Sequence, residues 1–173
     1  MRQIIKNRHI VNDDWEVLHL SEEDTPDSVQ VPDGKIVVPL QVWLHQKINL
    51  GMRSQIGVWL SSHEQAKDIG AEPNRFALIA IDFPKFADGR GYSIAYNLRT
   101  RLGYTGELRA MGDVLRDQLF YMQRVGFNSF AVRADKNIHD AIKGLTDFTE
   151  KYQGSVDETT PLFGRAQRES LSQ

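Results

Sequence analysis

From residue 56 onward the chain alternates short apolar runs with amphipathic stretches. Ile56-Gly57-Val58-Trp59-Leu60 has strand length, and Ser61 and Glu64 then have the spacing of a capping box, which predicts a short helix ending near Gly70. Phe76–Phe83 is the most apolar run and predicts a strand buried on both faces. Ile94, Ala95, Leu98 and Leu102 mark one side of a helix that stops at Gly103. Gly106–Met111 is the next strand, and Leu115, Leu119 and Met122 give the stripe of a helix ending at Gly126. Ser129–Arg133 is the fourth strand. Ile138, Ala141, Ile142, Leu145 and Phe148 line the last helix. Four βα units in a row imply a parallel sheet with right-handed crossovers. The predicted class is α/β, either a half-barrel with helices on one face or a small open sheet covered on both.

The first 50 residues break this pattern. Ile4-Ile5, Ile10-Val11 and Trp15–Leu18 around Asn12-Asp13-Asp14 predict a small hairpin with its turn at Asn12-Asp13. Ser21–Gly34 reads as loop. Ile36–Pro39 is short and extended, and Pro39 opens a helix through Leu40, Val42, Trp43 and Leu44. Three parts are expected. Residues 1–50 form a mixed segment that packs on the core, residues 51–154 form the βα core, and residues 155–173 form a polar, mobile tail pinned by Pro161-Leu162-Phe163.

Composition narrows the chemistry. The 173 residues are 40% hydrophobic and 25% charged, with a net charge of −2, which is ordinary for one soluble globular domain. No apolar run approaches a membrane span, and Met1–Lys6 lacks the apolar stretch of a signal peptide, so a cytoplasmic protein is expected. With no cysteine there is no disulfide, thiol nucleophile or Cys-held iron–sulfur cluster. The five histidines are scattered, so neither structural zinc nor another metal site is expected. Redox chemistry would need a borrowed cofactor. No nucleic-acid-binding motif is present. A homodimer is expected if one sheet face is otherwise uncovered.

Ligands of parallel α/β folds sit at the carboxyl ends of the strands. There the loop Asp82–Ser93 leaves a buried strand and enters a helix. Its Asp88, Gly89, Arg90, Gly91, Tyr92 and Ser93 offer backbone N–H groups and a guanidinium fork suited to an anion. The same residues also make a plain turn, with Asp88-Gly89 at the bend, Gly91 for close packing and Ser93 as helix cap. Asp113 has the place of a helix cap, and a catalytic or ligand-binding carboxylate is the alternative. Arg109 and Arg133 fall in or at the end of strands, where an arginine needs a pocket or a carboxylate. Asp82 is the natural partner for either. The functional alternative is an anion pocket of Arg90, Arg109 and Arg133 with Asp82 or Asp113 as base. Between Lys85 and Arg133 eight basic residues face four acidic ones, a surplus of four positive charges, which favours the pocket.

The block Leu78–Pro84, Asp88–Ser93, Leu98-Arg99, Gly103–Ala110 and Gly112–Leu119, with Arg124, Gly126-Phe127, Phe130 and Pro161–Phe163, resembles the bacterial domain-of-unknown-function family 934. That family is often labelled an oxidoreductase involved in sulfite reduction, and its genes tend to lie beside those of sulfite reductase and phosphoadenylyl-sulfate reductase. The resemblance assigns no catalytic residue and no cofactor, and the chain has no catalytic motif of its own. A common form of the motif has Cys-Gly-Phe after Arg124. Here Val125 takes the cysteine position, which argues against thiol chemistry there. Gly164-Arg165 is a further departure. The resemblance implies a role in sulfate or sulfite assimilation. Joined to the loop reading, it gives an accessory protein in which Arg90 and the Gly89–Ser93 amides hold sulfate, sulfite or a nucleotide phosphate and Asp82, Arg109, Asp113 and Arg133 complete the site. The alternatives are a non-catalytic module docking on one of those reductases, and an oxidoreductase using flavin or NADPH.

Overall fold

The apolar runs become strands because β-branched and aromatic side chains at alternate positions find cover on both sides. In the computed structural model, which describes residues 2–85 and 87–146, the strands are β1 (Gln3–Lys6), β2 (His9–Asn12), β3 (Glu16–Val17), β4 (Ile36–Pro39), β5 (Ile56–Leu60), β6 (Leu78–Phe83), β7 (Glu107–Gly112) and β8 (Ser129–Phe130). The helices are α1 (Leu40–Leu50), α2 (Arg90–Thr100), α3 (Arg116–Val125) and α4 (Ile138–Ala141), the last continued by a 3-10 turn over Ile142–Thr146. All eight strands share one sheet in the order β2-β1-β8-β7-β6-β5-β4-β3.

From β3 to β8 each strand pairs in parallel with its successor in the chain. Right-handed crossovers that always step the same way bring their helices to one face, so the sheet curls into a half-barrel. It is mixed rather than wholly parallel, because β1 pairs antiparallel with β8 and β2 with β1. One sheet therefore takes strands from both sides of residue 50.

Val58, Ile79, Ile81, Leu108, Ala110 and Phe130 face the helices and share a core with Leu98, Leu119, Met122 and Leu145. The opposite, concave face carries a smaller cluster of Val37, Leu78, Ala80 and Met111, covered by Trp15, Val17, Trp59 and Ala131. Trp15 and Val17 belong to a strap over residues 13–20. Asp13 meets β7 through Arg109, Val17 pairs with Val37, and Trp59 Nε1 donates to the Leu18 carbonyl at 3.0 Å.

Several expectations change. The hairpin turns at Asn7 and Arg8, with φ of 50° and 69°, and not at Asn12-Asp13. Asp13 is drawn into the half-barrel instead. β4 and α1 add a βα unit inside the first 50 residues. The Ser61 amide does donate to Glu64 Oε2 at 2.8 Å, but this closes a turn, and the helix is one 3-10 turn at Ala66–Ile69. Pro39 ends β4 and precedes α1 as its cap residue. The fourth predicted strand is cut to two residues. Phe148 and the expected tail, with Pro161–Phe163, lie outside the described residues. Among the described residues no helix is long and apolar enough to cross a membrane.

Candidate functional site

The loop after β6 is closed on itself. α2 starts at Arg90 with Gly89 as its cap residue, so Gly91, Tyr92 and Ser93 lie in the first turn. The Asp88 carboxylate accepts the Arg90 amide at 3.1 Å, Nε at 2.9 Å and Nη2 at 2.7 Å. These bonds hold the Asp88 carboxyl far below the usual carboxylate range. The helix end and the Arg90 fork thus already have an anion, one supplied by the chain. The remaining Arg90 Nη1 lies 3.0 Å from His63 Nδ1. Arg90 and Ser93 line an open cavity of about 380 Å³ with His63, Glu64 and Asn97. Gly91 is the close-packing position: a Cβ there would lie 2.5 Å from the Phe83 ring.

Arg109 is carried by β7 onto the concave face, where it is buried. It donates to Glu107 Oε1 at 2.8 Å, Asp13 Oδ1 at 3.1 Å and Ser129 Oγ at 3.3 Å. Asp13 also takes Arg2, whose Nε is 3.0 Å away, and Glu107 takes Lys6 at 2.8 Å. Burial opposes charge on Glu107, but Arg109, Lys6 and Ser129 outweigh it and hold the carboxyl below its ordinary range. The buried arginine finds its carboxylates in Asp13 and Glu107 rather than in Asp82. Sequence reasoning missed both. The available signal was the need itself, since an arginine in a parallel strand requires a partner.

Asp82 instead faces a cavity of about 270 Å³ at the carboxyl ends of β6, β7 and β8, shared with Arg2, His19, Arg109, Met111 and Arg133. Burial pushes its carboxyl up, against the pull of His19. Gly112, at φ +91°, makes room for it: a Cβ there would stand 2.6 Å from Asp82 Oδ1 and 2.5 Å from the Phe83 carbonyl oxygen. Arg133 Nη1 donates to Asp113 at 2.6 Å, and Nε and Nη2 donate to Asp135 at 2.6 and 3.1 Å. Asp113 is therefore a partner of Arg133 and not the cap of α3. That position falls to Leu115, whose amide donates to the Gln118 side chain at 3.1 Å. His19, tilted on Trp59 at 5.6 Å between ring centres, is brought in by the strap.

The predicted residues thus fall into two groups. Asp82, Arg109 and Arg133 meet at one cavity, with Asp113 behind Arg133. Asp88–Ser93 belong to the loop beside another, and the two cavities share no lining residue. Arg2, Asp13 and His19 come from the N-terminal segment.

Neither a curated protein nor a solved structure matches the chain. The family model described as "Bacterial protein of unknown function (DUF934)" matches residues 57–163, more than half of the chain. The match takes in Asp82, Arg109, Asp113 and Arg133 and leaves the strap outside it. On that match the chain belongs to the bacterial DUF934 family.

Proposed function

We propose that the chain is an accessory protein of assimilatory sulfate or sulfite reduction that holds a small oxyanion in the cavity at the ends of β6, β7 and β8. The candidates are sulfate, sulfite and a nucleotide phosphate. The observation that carries the reading is the convergence of Arg2, His19, Arg109 and Arg133 on one cavity of about 270 Å³. Guanidinium groups suit such ions because their N–H forks match paired oxygens. Arg133 spends three of its five N–H groups on Asp113 and Asp135, so donors remain for a ligand. The arginines are already ion-paired, so recognition comes from directed N–H groups more than from net charge. The link to sulfur reduction rests on the family resemblance.

A thermal-shift panel of sulfate, sulfite, phosphate and adenylyl sulfates tests this. A ligand at 100 times its dissociation constant adds about 2.7 kcal/mol, a rise of roughly 5–11 °C at this chain length. The rise should vanish in Arg133→Ala and persist in Arg90→Ala. Loss in Arg90→Ala alone would move the ligand to the α2 loop. No shift with any compound would overturn the reading.

One observation favours the docking alternative. Leu44 and Ile48 on α1, with Met52 just beyond it, recur every four residues and are 37%, 89% and 90% exposed. A reductase partner would cover this stripe. Size-exclusion chromatography with purified sulfite reductase or phosphoadenylyl-sulfate reductase should then show a complex that Ile48→Ser with Met52→Ser abolishes. Independent elution of the wild type would end that reading.

A further inference from the structure

A plain anion site would hold cations and N–H donors. This cavity also holds a carboxylate. Asp82 lines it, half-buried, and among the described residues no hydrogen bond or ion pair reaches its side-chain oxygens. The arginines around it are all paired: Arg2 with Asp13, Arg109 with Asp13 and Glu107, and Arg133 with Asp113 and Asp135. The backbone is shaped to admit the carboxylate, because Gly112 leaves open the space that any side chain would take from Asp82 Oδ1. A partly desolvated carboxylate without a donor is unfavourable. A ligand that brings a donor removes that cost.

We propose, on the reading that this cavity holds a small oxyanion, that Asp82 makes it selective for oxyanions that carry a proton. The carboxylate accepts the ligand's O–H, and the spare N–H groups of Arg109 and Arg133 take its other oxygens. Inorganic phosphate and hydrogen sulfite carry such a proton near neutral pH, whereas a phosphate monoester, with its second pKa near 6, has mostly lost it. Sulfate, the anion of a strong acid, carries none. Its oxygens would meet Asp82 as like charge with no hydrogen to share, so discrimination comes from repulsion as well as attraction. Among the candidate ligands this favours hydrogen sulfite and inorganic phosphate and disfavours free sulfate.

Inorganic phosphate and sulfate are close to the same size and shape and differ in that proton. Titration calorimetry of the full chain with each, near neutral pH, reads the selectivity without any variant, and a sulfite titration is run beside them. Phosphate should bind about tenfold or more tightly than sulfate, the scale of one charge-assisted hydrogen bond. In Asp82→Asn the ratio should fall toward one, with sulfate gaining, because the amide can donate. Asparagine keeps the side-chain volume, and a melting curve checks the fold. Equal affinity of the wild type for both ions, or tighter sulfate, would overturn the selectivity and leave the oxyanion reading standing. No binding of phosphate, sulfite or sulfate by either protein would overturn that reading, and the selectivity with it.

Discussion

Replacing Arg109 with methionine removes the cation that Asp13 and Glu107 share inside the half-barrel. Their side chains are 0% and 6% exposed, so neither can recover its hydration without opening the strap. Each keeps an outer partner, Arg2 or Lys6, but those reach in from the surface, where solvent screens them. Taking one partner from a buried ion pair costs about 3–5 kcal/mol. At roughly 2–4 °C per kcal/mol for this chain length, the melting temperature should fall by about 6–20 °C. The pH dependence identifies the cause. Burial opposes the Glu107 charge in the wild type, yet Arg109 and its neighbours depress its pKa. A depressed folded pKa gives stability that is present above the unfolded value and lost as pH falls through the folded one. Arg109→Met lacks Arg109's part of that stability at neutral pH, and in strong acid the wild type lacks it too. The gap between the two melting temperatures should be widest near neutrality and narrow through the carboxylate range. Arg109→Lys should recover only part, since an ammonium lacks the fork that spans both carboxylates. Circular-dichroism melts across that range give the comparison. A loss under about 1 kcal/mol, or a gap that does not change with pH, would refute the reasoning.

Three further changes follow from the same geometry. Burial raises the Asp82 pKa, and a raised folded value gives stability that is present below the unfolded pKa and lost as pH rises through the folded one. Asp82→Asn should therefore melt above the wild type at neutral pH and lose that advantage in acid; a lower melting temperature at neutral pH contradicts it. Gly112→Ala puts a Cβ 2.5 Å from the Phe83 carbonyl oxygen at φ +91°, so urea denaturation should show a loss of at least about 1 kcal/mol. Trp59→Phe removes the bond to the Leu18 carbonyl, at about 1 kcal/mol, and hydrogen exchange should quicken over residues 16–20 while α2 and α3 keep their protection.

The βα rhythm was legible because its signals are local. The β6 run is buried on both faces, and the helices stop where Gly103 and Gly126 adopt φ of 68° and 121°. β4 was readable as an extended run, but four residues ending in proline did not reveal a place in the parallel sheet. The hairpin turn was misplaced because Asn7-Arg8 carries no glycine, whereas Asn12-Asp13 has ordinary turn residues. What Asp13 does instead depends on Arg109, 96 positions away, and no local pattern contains that. The strand-end rule pointed to the loop that opens at Asp82, and the cost of an arginine in a strand pointed to Arg109 and Arg133; all three line one cavity. Arg2 and His19 escaped both because a strap, and not a strand end, brings them there. Asp113 and Ser93 read as caps because their residue types favour that position; Arg133 claims Asp113, and the chain turns early enough at Asp88 to leave Ser93 inside the helix.

The two faces of the sheet divide the work. The helix face holds the large apolar core, and side chains such as Ile79, Ile81, Leu98 and Met122 stabilise the molecule without reaching the cavity. The concave face has a small apolar cluster and a chain of charges from Arg2 through Asp13, Arg109 and Glu107 to Lys6. Apolar side chains of similar volume could stabilise that face at least as well as buried ions. They would not fix where the strap crosses. A guanidinium that must meet Asp13 on one side and Glu107 on the other accepts far fewer positions of the strap than a greasy contact does. With Asp13 pinned at one end and Leu18 bonded to Trp59 at the other, His19 and Arg2 can reach the cavity in only a narrow set of arrangements. The charge network therefore shapes the cavity as much as it holds the fold.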